Sequence, residues 1–464
     1  SKGTFKKKSF QTHAEEERTT SIASNFTGDK VLIGAGHDAN ISGSNLVSDS
    51  LTWVDAKNNI NITSAENTES ESLYKKVKQS GLMGTGGIGF MVGSKKNSLE
   101  NTSSTTTHTA SLIASNAGDV KLTAGQTLTV EGSDVLAANN ALLLADNINI
   151  VNSTDTYAQS TEQKAKSSGL TVALAGTVGD AANGIVSTVQ QANAAKDRGN
   201  DRLNAAYNTK AALTAVQAGQ SLYQDFTDTS DANKANQGNF IGISVSVGAS
   251  KSQSNSTSTQ TVANGSNIAA GNKLTVIATG DGTKGADGFA TDGDVNVVGS
   301  NLSGKTVDVI GARDVNFASA ANTSTETSTN KSSSANLGVS LGVSASGSFG
   351  LSVFANAAAG KGKAGGNGTT HTETQVTATD KLTIDAGRDL NLTGAQARGN
   401  SMDVDVGRNL TITSEQDTND YKSKQTNASA GVSIPIGVGT ASVNVGVNQQ
   451  KVNSTYQSVN EQSG

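Results

Sequence analysis

Four segments of the chain share one eleven-residue pattern: VLIGAGHDANI at 31–41, VDVIGARDVNF at 307–317, LTIDAGRDLNL at 382–392 and MDVDVGRNLTI at 402–412. Each holds two stretches of alternating apolar and polar residues, their first residues eight apart, with a glycine-centred corner between them. Alternation with period two marks a strand with one buried face. Strand, corner and strand, repeated, make one bent rung of a solenoid. Leu382 to Met402 and Leu390 to Leu410 are each 20 residues, and so is Val31 to Leu51. A rung of that length holds two or three short strands with tight corners, stacked about 4.8 Å apart in the hydrogen-bonding direction. The expected fold class is all-β, a right-handed parallel β-helix of about 20 residues per rung.

Composition agrees with a long repetitive protein acting outside the cytoplasm. The 464 residues include 51 Gly, 1 Pro and no Cys, with 4% aromatics and 34% hydrophobic residues. So low an apolar fraction would starve a globular core, but a β-helix buries only one residue in two along each strand. A formal net charge of −5 argues against a general nucleic-acid binder. The lack of Cys removes disulfides, thiolate catalysis and thiolate metal sites together. No apolar run approaches the length of a transmembrane helix, no signal peptide is recognisable, and the opening SKGTFKKKSF does not read as a natural start.

The rungs come in pairs. Val31 and Leu51 begin the first, Val120 and Leu142 the second, Leu274 and Val307 the third, Leu382 and Met402 the fourth. The third pair is long because TGDGTKGADGFATDG replaces a short corner, and removing its excess restores the period. After each pair comes an excursion: a polar stretch, an apolar/glycine alternation, and a Thr/Ser-rich return. The alternations read GLMGTGGIGFMVG (81–93), GLTVALAG (169–176), GNFIGISVSVG (238–248), LGVSLGVSASGSFGLSVF (337–354) and VSIPIGVGTASVNVGV (432–447). The longer ones predict β-hairpins with small-residue turns, as at Ala345 to Ser348. Between Gly176 and Gly238 the period changes. Val178, Ala182, Ile185, Val189 and Ala192 fall on one helical face and Leu203, Ala206, Leu213, Val216, Tyr223 and Phe226 on another, which predicts a helical hairpin inserted at about 177–236.

The expected domains are a β-helix module at 1–63, preceded by the return of a truncated excursion, then a β-hairpin excursion at 64–110. A second module follows at 111–151 and an excursion with the inserted helices at 152–265. A third module covers 266–318, a hairpin excursion 319–375, a fourth module 376–413, and a truncated hairpin excursion 414–464. Both termini cut through modules, so a piece of a longer array is expected.

The paired motifs GRDLNL (387–392), GRNLTI (407–412) and GARDVNF (311–317) resemble the haemagglutinin repeats of filamentous exoproteins released by two-partner secretion in Gram-negative bacteria. Alternation with excursions such as ITSAENTESES (62–72) and FASAANTSTETS (317–328) is most similar to the second repeat region of contact-dependent growth-inhibition toxin-delivery proteins of the CdiA type. The resemblance implies a secreted, cell-surface filament that carries a receptor-binding region and a C-terminal toxin, with this repeat region acting in delivery across the target cell's outer membrane. The implied partners are the target outer membrane or a surface receptor, the outer-membrane secretion transporter, and the remaining repeats of the same exoprotein. Neither nucleic acid nor a small-molecule substrate is implied, and no toxin or secretion domain is present. The helical hairpin departs from a uniform repeat.

The excursions pose the sharpest physical question. Leu82, Met83, Ile88, Phe90 and Met91 lie in the first; Leu337, Val339, Leu341 and Val343 alternate with Gly and Ser in another, as do Phe349, Leu351 and Val353 after its turn; Ile434, Ile436 and Val438, then Val443, Val445 and Val447, repeat the design. Apolar positions on one strand face and small or polar ones on the other are what an outer-membrane barrel requires. Lys75, Lys76, Lys78, Lys95 and Lys96 flank the first. The simpler reading packs the hairpins on the solenoid's side, burying their apolar face, because an exposed apolar sheet invites aggregation. Both readings hold if packed hairpins rearrange in the target membrane.

Other candidates are weaker. Asn61, Asn149, Asn296, Asn316 and Asn391, with Thr129 and Thr411, sit mid-strand and read as outward stacked amides before a glycan-binding row. Arg313, Arg388 and Arg408 recur at one corner. Asp281, Asp287, Asp292 and Asp294 could bind calcium, but their order matches neither an EF-hand nor a nonapeptide repeat, so a solvated turn is expected. His13, His37, His108 and His371 lie in separate modules and suggest neither metal site nor triad, and no cofactor is expected. A polysaccharide-active β-helix enzyme would need a local non-repeating cluster of acidic, basic and aromatic residues, and with one Trp, Trp53, none is evident. The reading is therefore non-enzymatic: a stalk segment in toxin delivery or adhesion whose hairpins engage the target membrane, with a purely structural adhesin repeat or the enzyme as alternatives.

Overall fold

The computed structural model describes residues 2–3, 6–84, 89–175, 241–343, 349–436 and 441–458. The expected helical hairpin and the turn at Ala345 to Ser348 lie outside them. Among the described residues every regular element is a strand, grouped in three sheets.

Two sheets are parallel and are built by the eleven-residue pattern. In the larger, Leu274 pairs with Val307, Val307 with Leu382 and Leu382 with Met402. In the smaller, Val295, Val315, Leu390 and Leu410 follow in the same order. Each turn of chain contributes a first segment and a second to the larger sheet, as at Leu112–Ser115 and Asp119–Ala124, and a third to the smaller, as at Thr127–Glu131. The excursions do not interrupt the stacking: Val120 pairs directly with Thr52 although residues 64–110 leave the stack between them.

Register departs from the expected period by one residue in two places. Val31 pairs with Thr52, not Leu51, and Val120 with Ala141, not Leu142. At both sites the inward position is the less apolar residue: Thr52 is fully buried and Ala141 nearly so. Thr52 is accepted there because its hydroxyl donates to Ala114 O (2.7 Å) and accepts from the Ser48 hydroxyl (2.9 Å), so no polar group is left unsatisfied. The remaining inward positions, among them Ile60, Ile62, Leu122, Leu128, Ile148, Ile150 and Phe317, form one continuous core between the sheets. Each such side chain contributes about 1.5–3 kcal/mol by leaving water.

A hydroxyl ladder closes the third corner. The backbone N–H of Ser44 donates to Ser111 Oγ, that of Ser111 to Ser133 Oγ, Ser133 to Ser266 Oγ, Ser266 to Ser300 Oγ and Ser300 to Thr374 Oγ1, at 3.0–3.3 Å. Beside this corner Gly43, Gly132 and Gly299 adopt positive φ (52°, 51° and 55°). A Cβ on them would collide with Ala65, Ser153 and Ala320, the first residues of the strands that open three excursions. Glycine at the end of a pair's first turn thus makes room for the chain leaving after the second.

The third sheet is antiparallel, ten strands in chain order. After a short Lys2–Gly3 strand it comprises Lys6–Thr19, Ala65–Gly84, Gly89–Thr109, Ser153–Ala175, Ile241–Asn264, Ala320–Val343, Phe349–Thr372, Asp417–Ile436 and Ser442–Ser458. The excursions are therefore not separate hairpins. Each pairs with the next, as Gly89–Thr109 does with Ser153–Ala175. The two-turn unit explains this: two turns advance the stack by about 9.6 Å, and a hairpin is two strands wide, also about 9.6 Å, so successive hairpins meet edge to edge.

Candidate interaction site on the distal sheet

Each long strand leaves the parallel sheets at one end and carries its apolar residues at the other. Pairing register aligns them in rows across the sheet. Leu82, Val92, Leu170, Val247 and Leu337 stand directly opposite one another on successive strands, and after Ala355 the row continues through Val432 and Val443. Two residues further out, Phe90, Val172, Val245, Val339, Val353 and Ile434 form a second row. Ile243, Leu341, Leu351 and Ile436 form a third.

This face is open to solvent. Leu337 is 60% exposed and Val443 71%, whereas Met83 and Met91 on the opposite face are 5% and 6% exposed. The expected burial of the apolar face against the solenoid is therefore not what the structure shows: the hairpins spend their edges on one another and leave the face uncovered. The residues singled out from sequence divide accordingly. Leu82, Phe90, Leu337, Val339, Leu341, Leu351, Val353, Ile434, Ile436 and Val443 share the exposed face, and Val445 and Val447 continue it towards the base opposite Ala430 and Ala428. Met83 and Met91 pair with each other on the opposite face, where both are buried. Val343 and Phe349 pair at the strand ends, and Ile88 and Val438 lie outside the described residues.

Val92, Leu170, Val172, Ile243, Val245 and Val247 belong to the same face and were not singled out from sequence. A repeated signal marks them: K-x-S-G-L at 78–82 and 166–170, and its reverse in VGSKK at 92–96 and VGASK at 247–251. Each places a lysine four residues from the first apolar residue, on the same face. Lys78, Lys96, Lys166 and Lys251 consequently form a row of their own. Like charges so close hold the Lys96 ammonium below its ordinary pKa, Lys76 contributing most. Glycines 81, 93, 169 and 248 form the row between, on the other face; a Cβ on Gly93 would stand 2.1 Å from Ser168 O.

The other candidates resolve into structural ladders. Asn316 Nδ2 donates to Asn296 Oδ1 (2.9 Å), and Asn391 to Asn316 (2.8 Å), Asn296 to Asn149 (2.9 Å) and Asn61 to Asn40 (2.8 Å). At the recurring corner Arg313, Arg388 and Arg408 donate through Nε to Asp294, Asp314 and Asp389 (2.7, 2.8 and 2.9 Å). Asp389 is held down to about 2, first by its bond to Arg408. Asp294 is thus taken by arginine, while Asp281, Asp287 and Asp292 cap backbone N–H groups of their own loop. The converging carboxylates among the described residues are instead Glu16, Glu69 and Glu71, on the face of the antiparallel sheet near its first strands. Each histidine has its own carboxylate, His108 with Asp155 (2.9 Å) and His371 with Asp417 (3.0 Å) at equivalent joints between successive hairpins.

The hemagglutinin repeat family model matches residues 5–94, 92–233 and 247–428. The chain is 39% identical over 467 residues to the 16S rRNA endonuclease CdiA of Enterobacter cloacae, and 38% identical over 465 residues to a tRNA nuclease CdiA of Escherichia coli. A protein named Toxin CdiA from Escherichia coli is 37% identical over 459 residues. These alignments cover 100%, 100% and 98% of the chain but 14% of each relative's length. No solved structure matches.

Proposed function

The chain belongs to the hemagglutinin-repeat family, and from that premise we propose that it is a rigid stalk segment which presents a membrane-engaging β-sheet during contact-dependent toxin delivery. It is part of a secreted cell-surface exoprotein of a Gram-negative bacterium, and its relatives are toxin-delivery proteins of two-partner secretion. We read the two parallel sheets as walls of a right-handed β-helix of paired rungs, divided from the excursions at 64–110, 152–265, 319–375 and 414–464, with a helical hairpin at about 177–236. The rungs supply length and stiffness; the excursions supply the surface that acts. The chain itself is read as non-enzymatic, since its charged corner residues recur in register as structural ladders.

One observation carries the membrane reading. Three apolar rows run across the strands at the end farthest from the solenoid, exposed on one face, with a small-residue face behind them. Strands of this pattern meet the requirement for contact with lipid, where backbone groups must be paired within the sheet. The partners proposed are the target cell's outer membrane, or a receptor in it, and the exoprotein's own transporter. Protease mapping of the purified chain, with and without outer-membrane vesicles, tests it. Segments 81–93, 337–354 and 432–447 should become protected by vesicles, and equal cleavage in both conditions rules the reading out.

A further inference from the structure

Lys78, Lys96, Lys166 and Lys251 occupy four adjacent strands at one height, exposed, and none has an ion-pair partner among the described residues. Like charges directly opposite in a sheet destabilise it. Lys76, Lys164, Lys331 and Lys361 form the next row towards the base, and Lys363, Lys424 and Lys451 the one after. Among the described residues no carboxylate stands at the height of the first or second lysine row. Glu100 and Glu162 stand at the height of the third, Glu162 pairing with Lys164; Glu15, Glu16, Glu71 and Glu326 lie nearer the solenoid, and the apolar rows lie beyond the first. A chain of net charge −5 thus concentrates cations in one band of one face.

The band's position is specific. It lies four residues, about 13 Å, below the first apolar row, separated from it by a shallow trough floored by Ser94, Ser168, Ala249 and Ala335. A lysine stem reaches across such a strip and leaves its ammonium free. From the first apolar row to the third is again about 13 Å, close to half of a hydrocarbon core of about 30 Å. The rows are therefore deep enough for one leaflet.

We propose that the lysine rows are a headgroup-binding girdle: the distal sheet enters one leaflet with its apolar rows, and the row at Lys78, Lys96, Lys166 and Lys251 docks on the phosphates of anionic lipids. This deepens, and rests on, the membrane reading above. The lipid neutralises the charge that the isolated sheet leaves unpaired. The girdle also sets the depth, because further entry would carry ammonium groups into hydrocarbon.

The test is flotation of the whole 464-residue chain with vesicles of phosphatidylcholine alone or mixed with phosphatidylglycerol. The wild type should bind the anionic vesicles roughly tenfold or more tighter than the neutral ones, with the excess lost in high salt. The K78Q/K96Q/K166Q/K251Q variant should bind both kinds as weakly as the wild type binds neutral ones, and the K78R/K96R/K166R/K251R variant should keep the preference. Removing crowded charge should leave the thermal midpoint of the glutamine variant unchanged or raised, which separates lost binding from misfolding. Equal binding of wild type and glutamine variant to anionic vesicles overturns the girdle and leaves the membrane reading standing. Failure of the wild type to bind any vesicle overturns both. Displacement from anionic vesicles by soluble polyphosphate at equal phosphate concentration would make a free polyanion the occupant and also overturn it.

Discussion

The two parallel sheets repeat their chemistry one turn of chain at a time, so a side chain in them is supported chiefly by its equivalents on the neighbouring strands. Asn316 both donates to Asn296 and accepts from Asn391, so Asn316→Ala removes two bonds and should cost about 1–2 kcal/mol in urea unfolding, more than Asn61→Ala at a shorter run. Ser266 is fully buried, donates to Val151 O (2.8 Å) and accepts from Ser133 N–H (3.2 Å). Ser266→Ala leaves that N–H unpaired in a dry corner and should cost about 1–3 kcal/mol, read by the same melt. Asp389 titrates at about 2 in the fold against an ordinary 3.8. Because the folded value is depressed, its contribution is complete above about pH 4 and is lost as pH falls towards 2. Arg408→Gln should return the Asp389 carboxyl towards its ordinary value, seen by carboxyl NMR, and flatten that part of the acid unfolding curve. The stacking of the amides and the recurrence of the arginines at one corner are legible from sequence because these residues recur at one position of a repeating motif; the aspartates that the arginines meet, Asp294, Asp314 and Asp389, are not. The hydroxyl ladder was not, since Ser and Thr are abundant everywhere and only burial distinguishes Ser111, Ser133, Ser266, Ser300 and Thr374.

At the scale of the strand, alternation sets which residues share a face, but a one-residue slip exchanges the faces, and only packing selects between the two. The run Ala141–Leu144 is apolar at every position, so its phase cannot be read from hydropathy. Stacking decides it by burying Ala141 and Leu143 and leaving Leu142 half-exposed. Met83 and Met91 show the same limit, being apolar residues next to Leu82 and Val92 in sequence and on the opposite face in space. The glycine row tests how closely the strands approach. Gly93→Ala places a methyl against Ser168 O and should cost about 1–3 kcal/mol, with faster amide exchange in Gly89–Thr109 than in Thr127–Glu131. The same substitution at Gly34, which meets nothing within 4 Å, should be tolerated.

Across the whole molecule the two-turn unit and the two-strand hairpin have matching widths, and that match turns separate excursions into one sheet. Deleting one turn, residues 382–401, keeps the core in phase but advances the stack too little for a hairpin. Asp417–Ile436 should then lose protection from hydrogen exchange while Val295–Val298 keeps it. His108 with Asp155 and His371 with Asp417 pin the joints that this mismatch would strain. The strands, the paired turns, the excursions and the family are properties of the chain as written, because periodicity and turn chemistry are local and a stacked repeat buries each turn against its own copies. That the apolar face stands open, that lysines from four strands align at one height, and that methionines turn away from their apolar neighbours were settled only by tertiary structure. Those facts depend on which edges pair and in what register, and the pairing joins residues up to 102 positions apart, Ile241 with Val343, through strands of equal height.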